Sequence, residues 1–184
     1  WKELIEKADV KFVPIGPDID IKKEAASIRG KYSNPAISML KTMSFVFRII
    51  QNSTNEVYKA CNGKDLIIVT HSQMGATEAE VLKIPTVNIT LQTEMIAEKL
   101  KPQTWKDKII GNIIGGQVAK PYNKIRKAYG LPKIKSSDEI MSKKLNLIPI
   151  SRYVKEQNPY WEEQHVLTGY WYEDEPEYHQ DDKL

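Results

Sequence analysis

The sequence predicts an α/β fold, with a Rossmann-like, mostly parallel sheet flanked by helices on both faces. The first observation is that stretches with the periodicity of strands alternate along the chain with stretches that have the periodicity of helices. A second is the continuous apolar run Asp65–Thr70, DLIIVT, which suits a strand covered on both faces. The third is the segment Asp65–Thr90, whose strand–helix–strand order is that of a right-handed crossover unit.

Three short elements are predicted before residue 34. The N-terminal stretch places its apolar residues on one helical face, and an apolar run that ends at Gly16-Pro17 follows it. The elements are the helices Trp1–Ala8 and Asp20–Arg29 and, between them, the strand Val10–Ile15.

A long helix is predicted from Asn34 to about Ala60. Asn34 is a good N-cap residue, and Pro35 is favoured in a first helical turn. Asn62-Gly63 is a common helix stop.

The remaining elements alternate up to the last two, which are both strands. The helices are Ser72–Lys83 and Ile109–Tyr129, and the strands are Pro85–Thr90, Leu145–Ile150 and His165–Thr168. Residues 1–172 are therefore predicted to form one domain, and the acidic residues 173–184 a linker or tail. In such sheets, ligands bind beyond the carboxyl ends of the strands.

Composition excludes several classes of protein. The net charge is only +3, and lysines are interleaved with acids, so no nucleic-acid partner is expected. A single cysteine, Cys61, excludes a disulfide framework within the chain and suits a reducing, cytoplasmic location. The sequence contains no run of about 18 apolar residues, so no membrane-spanning helix is predicted. Peripheral contact with a membrane remains an open alternative. No histidine has a partner at metal-ligand spacing, so no metal site is predicted.

Four segments occur in an order and spacing that resemble a known family. They are FVPIG (Phe12–Gly16), DLIIVTHSQMGATEAEVLKIPTV (Asp65–Val87), NKIRKAYGLP (Asn123–Pro132) and VLTGYWYED (Val166–Asp174). Together they resemble the N-terminal, acceptor-binding domain of GT-B glycosyltransferases of the UDP-glucosyltransferase and sterol-glucosyltransferase kind. The resemblance implies an inverting hexosyltransferase that moves sugar from a UDP- or TDP-sugar to a hydroxyl of an apolar acceptor such as a lipid, sterol or polyketide.

The family's opening strand, Gly-rich turn and second strand have no counterpart in this sequence. The resemblance therefore implies a partial half-domain of a longer chain, with the catalytic histidine and the donor domain elsewhere. The nucleotide sugar would be a substrate bound mainly by that absent C-terminal domain, and no cofactor is expected. The chain alone is expected to be inactive, its catalytic residues are unknown, and an exposed sheet edge is expected beside Asp65–Thr70.

The candidate acceptor-binding residues fall into three groups. Two follow predicted strands, and the third belongs to the apolar surplus of the long helix, where Met and Phe suit adaptable ligand surfaces. They are His71, Ser72, Gln73 and Met74; Gln92, Thr93, Glu94 and Met95; and Met43 and Phe47.

Each group has a structural alternative. Ser72 could cap the next helix, the Gln92 loop could be solvated, and Met43 and Phe47 could be core residues. The aromatic residues Tyr160-Trp161 and Tyr170–Tyr172 could form either an interdomain hinge or a sugar platform.

For the whole chain, the alternative is a non-catalytic α/β module that binds small molecules and derives from the same fold. A nucleotide-binding, flavodoxin-like domain is disfavoured, because the sequence has no Gly-rich phosphate turn.

Overall fold

A computed structural model describes residues 2–32, 34–70, 72–91, 93, 96, 105–136 and 139–172. Within these residues helices dominate the first sixty positions, and strands and helices alternate after them. The helices are α1 (Lys2–Lys7), α2 (Ile21–Lys31), α3 (Pro35–Asn52), α4 (Thr54–Cys61), α5 (Ala76–Leu82) and α6 (Trp105–Ala128). The strands are β1 (Ile67–Val69), β2 (Thr86–Ile89), β3 (Asn146–Ile148) and β4 (His165–Leu167).

The four strands form one parallel sheet in the order β1-β2-β3-β4. This confirms the α/β class and the predicted parallel arrangement of these four strands. Helix α5 connects β1 to β2 as the predicted crossover. Strand β1 lies at an edge, and among the described residues no strand pairs with its outer side.

The prediction of a strand at Val10–Ile15 is wrong. The backbone N–H of Val10 bonds to Ile5 at the end of α1, and that of Gly16 donates to the Glu56 carboxylate at 2.6 Å. No described strand runs beside this segment to pair with its other backbone groups. An apolar run becomes a strand only where a second strand accepts its hydrogen bonds, and the sequence of the run itself does not reveal that partner.

The predicted long helix, Asn34–Ala60, is two helices that meet at Ser53. The Ser53 hydroxyl donates to the Ile49 carbonyl at 2.9 Å, and the Thr54 hydroxyl donates to the Gln51 carbonyl at 2.6 Å. Such side chains compete with the backbone ladder for carbonyls and favour a break in the helix. The stop at Asn62-Gly63 is confirmed, with Asn62 as the C-cap of α4.

Two other helix starts differ from prediction. Helix α5 begins at Ala76 with Gly75 as its N-cap, so Ser72 is not the cap. Gly75 has a φ of +95°, which a side chain would strain, and its turn carries the chain from β1 into the helix. Helix α6 begins at Trp105, earlier than predicted, and continues through Pro121.

The two faces of the sheet are covered differently. Alternation along the strands assigns each side chain to a face. The closed face carries Val69, Asn88, Asn146, Ile148, His165 and Leu167, which are buried, and Ile67 and Thr86 at its β1–β2 end, which are half-buried. The partly covered face carries Ile68, Val87, Ile89, Leu147 and Val166, of which Ile68 is exposed and the others half-buried.

Both buried apolar clusters lie against the closed face. One joins Val69 to residues of α5 and α6, with Phe47 of α3 packed against it. The other joins Ile148 and Leu167 to Met141 and Ile96. Within the part of the chain that the structure describes, the predicted helical cover lies over the β1 end of the closed face, whereas the residues packed against β3 and β4 there, Ile96 and Met141, come from outside the helices.

None of the described helices combines the length and apolar character that crossing a membrane requires. The predicted acidic tail, residues 173–184, lies outside the described residues.

Candidate functional site

A groove follows one side of helix α3 over about three turns. Its α3 wall is a stripe with helical spacing, since positions three, four and seven apart share one helix face. The groove has a volume of about 500 Å³. The residues that line it are Leu40, Met43, Ser44, Phe47, Arg48, Gln51, Pro121 and Lys124. We call it the α3–α6 groove.

The opposite wall of the α3–α6 groove comes from helix α6. The Gln51 side-chain amide donates to the Pro121 carbonyl at 3.4 Å and ties the two helices together. Beneath the groove, the Phe47 ring meets the Tyr122 ring edge-on, with 5.4 Å between the ring centroids. Phe47 thus contacts the core on one side and the groove on the other, and its position is fixed by packing.

Tyr122 connects the groove to the loop that follows β1. Its hydroxyl donates to the backbone carbonyl of Ser72 at 3.5 Å. Burial raises the pKa of the Tyr122 phenol, so the hydroxyl stays protonated and remains a donor at neutral pH. The helical groove and the carboxyl end of β1 are therefore coupled through one buried side chain.

The structure brings some predicted site residues together. Met43 and Phe47 both line the α3–α6 groove. Ser72 is half-buried. Its hydroxyl accepts a hydrogen bond from the Met74 N–H at 3.4 Å, and its backbone carbonyl accepts one from the Tyr122 hydroxyl. Met74 is also half-buried. The other wall of the groove that Met43 and Phe47 line comes from α6, and neither Ser72 nor Met74 lines it.

Two other predicted residues are buried in hydrogen bonds within the fold. Gln73, only 4% exposed, accepts at its amide oxygen from Asn88 Nδ2 at 2.7 Å. Thr93 is also buried, and its hydroxyl accepts from Lys155 Nζ at 2.7 Å. Neither residue lines the groove. The four remaining candidates, His71, Gln92, Glu94 and Met95, lie outside the described residues.

A buried polar row crosses the closed face beside the apolar clusters. Asn88, Asn146 and His165 are register partners on β2, β3 and β4. Asn88 Oδ1 accepts a hydrogen bond from the Ser142 N–H at 2.7 Å, while its Nδ2 donates one to the side-chain oxygen of Gln73. The row therefore fixes the loop after β1 and the turn before β3, which border the carboxyl and amino ends of the sheet respectively.

His165 ends the polar row in its neutral form. Asn146 Oδ1 accepts from the Thr90 hydroxyl at 2.7 Å, which turns Nδ2 toward His165 Nδ1 at 2.8 Å. With Nδ1 accepting, the ring proton sits on Nε2. Burial lowers the pKa of His165; the Glu162 carboxylate opposes that shift and Lys143 adds to it.

Charge among the described residues that line the α3–α6 groove has one sign. Arg48 and Lys124 line it, and none of these described residues is a carboxylate or a histidine. Arg48 lies 5.7 Å from the Phe45 ring centroid, a cation–π distance. The ion pair observed among the described residues, Arg126 with Glu80, lies outside the groove.

Nucleophilic or metal chemistry has little support elsewhere in the described residues. Cys61 ends α4 and is buried, and burial together with the nearby Glu78 raises the pKa of its thiol. A thiol held protonated is a poor nucleophile. Across the described chain, no three His, Cys, Asp or Glu residues cluster as metal ligands.

Sequence reasoning singled out Met43 and Phe47, which line the groove, and did not single out Leu40 or the polar lining residues. The spacing of Arg48 and Gln51 behind Met43 and Phe47 could have revealed the α3 wall. Lys124 and Tyr122 gave no comparable signal, because only tertiary packing brings α6 against α3.

Comparison with known proteins adds no identification. A scan against protein-family models finds no match, and neither does a search of the curated proteins.

Proposed function

We propose that the chain is the acceptor-binding part of an inverting glycosyltransferase, which moves a sugar from a nucleotide sugar to a hydroxyl of an apolar acceptor. The proposal joins the family resemblance of four sequence segments to one structural observation. That observation is the α3–α6 groove, in which Met43 and Phe47, both expected to contact an acceptor, form one apolar wall.

The groove has the character of a small-molecule site. Its volume of about 500 Å³ lies in the range usual for such sites, and apolar side chains share its lining with a few polar ones. Tyr122 links its floor to Ser72 at the carboxyl end of β1, where ligands of parallel sheets commonly bind. An acceptor body in the groove could thus place a hydroxyl near that loop.

Direct displacement needs a general base to take the proton of the attacking hydroxyl. The groove lining supplies no carboxylate or histidine for that purpose. In this proposal the described residues bind and orient the acceptor, and deprotonation is left to a group outside the groove. The donor would be a UDP- or TDP-sugar.

The same lining favours a second candidate, a small-molecule binding module without catalysis. It would use the α3–α6 groove in the same way and transfer nothing. Binding and transfer must therefore be measured separately to decide between the two candidates.

The decisive experiment supplies the full-length natural protein with labelled UDP-glucose or TDP-glucose. Sterols, long-chain alcohols and a hydroxylated macrolactone serve as acceptors, and products are identified by mass. We expect transfer to at least one acceptor, and we expect Met43→Asp to raise its KM about tenfold, the cost of one lost apolar contact surface.

Val46→Asp is the matched control. Val46 lies on the same helix with comparable exposure, 41% against 36% for Met43, but it does not line the groove. Unchanged KM in Met43→Asp, or an equal rise in both variants, would remove the groove from the proposal. Acceptor binding without transfer to any panel member would favour the binding module.

A further inference from the structure

The α3–α6 groove changes character along its length. Leu40 and Met43 lie toward the N-terminal end of α3, and Arg48 and Gln51 lie toward its C-terminal end. Leu40 and Gln51 are separated by roughly 16 Å along the helix axis, at 1.5 Å per residue. One end of the groove is thus apolar and the other is polar and basic.

Two cations define the basic end. Lys124 of α6 also borders the small depression formed by Gln51, Asn52 and Thr54, which places it beside the C-terminal half of α3. Arg48 stands one turn before Asn52 on α3. Among the described residues, neither cation has an ion pair.

We propose that the α3–α6 groove selects an anionic amphiphile: a single apolar chain whose phosphate or carboxylate head is held between Arg48 and Lys124. This inference rests on the proposed function, since it names the substrate class of the same groove. The apolar chain would lie along Leu40, Met43 and Phe47.

The complementarity explains features that a neutral acceptor leaves without a role. Arg presents a planar fork that matches phosphate or carboxylate oxygens, and Lys adds a second, mobile charge. Arg48 and Lys124 both line the groove, whose described lining contains no carboxylate, so an anionic head there would meet positive charge from both helices without a competing acid. Gln51, tied to Pro121, fixes the spacing of the helices at this end.

Binding is tested by calorimetric titration of the full-length protein with decyl phosphate and decyl maltoside, each below its micelle concentration and without any sugar donor. We expect decyl phosphate to bind at least about tenfold more tightly, the lower end for one charge-assisted hydrogen bond. Decyltrimethylammonium, with the opposite charge, should bind most weakly. Added salt should reduce the preference for phosphate.

Variants locate the head group. Arg48→Gln and Lys124→Gln should each weaken binding of decyl phosphate severalfold, and their combination should remove its advantage over decyl maltoside. Lys127→Gln is the matched control, because Lys127 is exposed on the same helix and lies outside the groove. Melting curves of each variant establish that the fold is intact.

Several results would overturn the inference. They are equal affinity for the three head groups, an effect of Lys127→Gln as large as that of Lys124→Gln, and binding to anionic phosphatidylglycerol vesicles with none to monomeric decyl phosphate. The last result would identify a membrane surface as the partner.

The titration and the transfer assay together separate this inference from the proposed function. A charge preference with no sugar transfer to any hydroxylated amphiphile would leave the inference standing and remove the glycosyltransferase. Sugar transfer to neutral acceptors that depends on Met43, with no preference for an anionic head group, would support the glycosyltransferase and overturn the inference of an anionic ligand.

Discussion

The closed face and the partly covered face of the sheet share the same four strands, yet they bury very different amounts. Ile148 on the closed face is completely buried, whereas Ile68 on the other face is 59% exposed. The closed face also holds the polar row of Asn88, Asn146 and His165. The partly covered face is apolar at every strand position assigned to it.

The difference shows what each face specifies. On the closed face, the amide and imidazole groups form directional hydrogen bonds. These bonds fix the register of the strands and the position of the loops bound to them. On the other face, aliphatic side chains give burial without direction. Apolar side chains on both faces are typical of parallel strands that are covered on both sides, so the partly covered face is suited to further cover.

The largest contrast should come from adjacent residues of β3. Ile148→Ala should lower the free energy of unfolding by about 2–5 kcal/mol, because it leaves a cavity in a fully packed cluster. Leu147→Ala, on the partly covered face, should cost less than half as much. Urea denaturation of both variants measures the difference. Equal losses would mean that the two faces are equally well covered in solution.

The strand prediction succeeded where the signal was local. The apolar runs at 65–70, 85–90, 145–150 and 165–168 contain β1 to β4. The run at 10–15 has similar residues but no pairing partner among the described strands, and pairing is a long-range property. The break at Ser53 was readable in principle, because Asn52, Ser53, Thr54 and Asn55 are all poor helix formers.

The polar row gives the second prediction. Asn88→Ala should lower the free energy of unfolding by about 1–3 kcal/mol, since the Ser142 N–H loses its acceptor and the Gln73 amide its donor inside the fold. Asn62→Ala, at an exposed position, should change it by less than about 0.5 kcal/mol. Urea midpoints of the two variants provide the measurement. A loss in Asn88→Ala as small as in Asn62→Ala would show that the row does not hold the face together.

The candidate site was partly predictable for a related reason. Met43 and Phe47 stood out as apolar residues beyond the needs of one core stripe on α3. The hydrogen bonds that bury Gln73 and Thr93 depend on strand register and on the position of Lys155, neither of which is written in the local sequence. The local sequence around a polar residue that follows a strand is the same whether its side chain faces a ligand or the core.

A smaller, pH-dependent difference should distinguish His165. Burial lowers its pKa below 6.5 in the folded protein, so as pH falls the unfolded chain takes up the proton first. The free energy of unfolding should therefore decrease from about pH 6.5 downward, until the pKa of the folded state is passed. Glu162 limits this loss and Lys143 increases it.

His165→Asn is the control for the pH effect, because an amide oxygen can still accept from Asn146 and does not titrate. Urea midpoints of both proteins on either side of pH 6.5 test the prediction. If the two proteins lose stability in parallel as pH falls, His165 is not the group responsible.

The smallest effect on stability is expected at Ile68, where the partly covered face meets the open edge of β1. The Ile67 N–H donates to the carbonyl of Pro85, the residue just before β2, and backbone groups alternate along a strand, so those of Ile68 point to the unpaired side. An exposed β-branched residue beside unpaired backbone groups is a template for association.

Ile68→Lys should change the free energy of unfolding by less than about 0.5 kcal/mol. It should also reduce any concentration-dependent self-association seen by sedimentation velocity, because a lysine on an edge opposes further strand pairing. Val69→Ala, one residue along on the closed face, supplies the contrast, with a loss of about 1–3 kcal/mol and no change in association. If Ile68→Lys instead destabilises the protein as strongly as Val69→Ala, the edge and the face beside it are covered in the folded protein, and the contrast between the two faces is smaller than their exposures indicate.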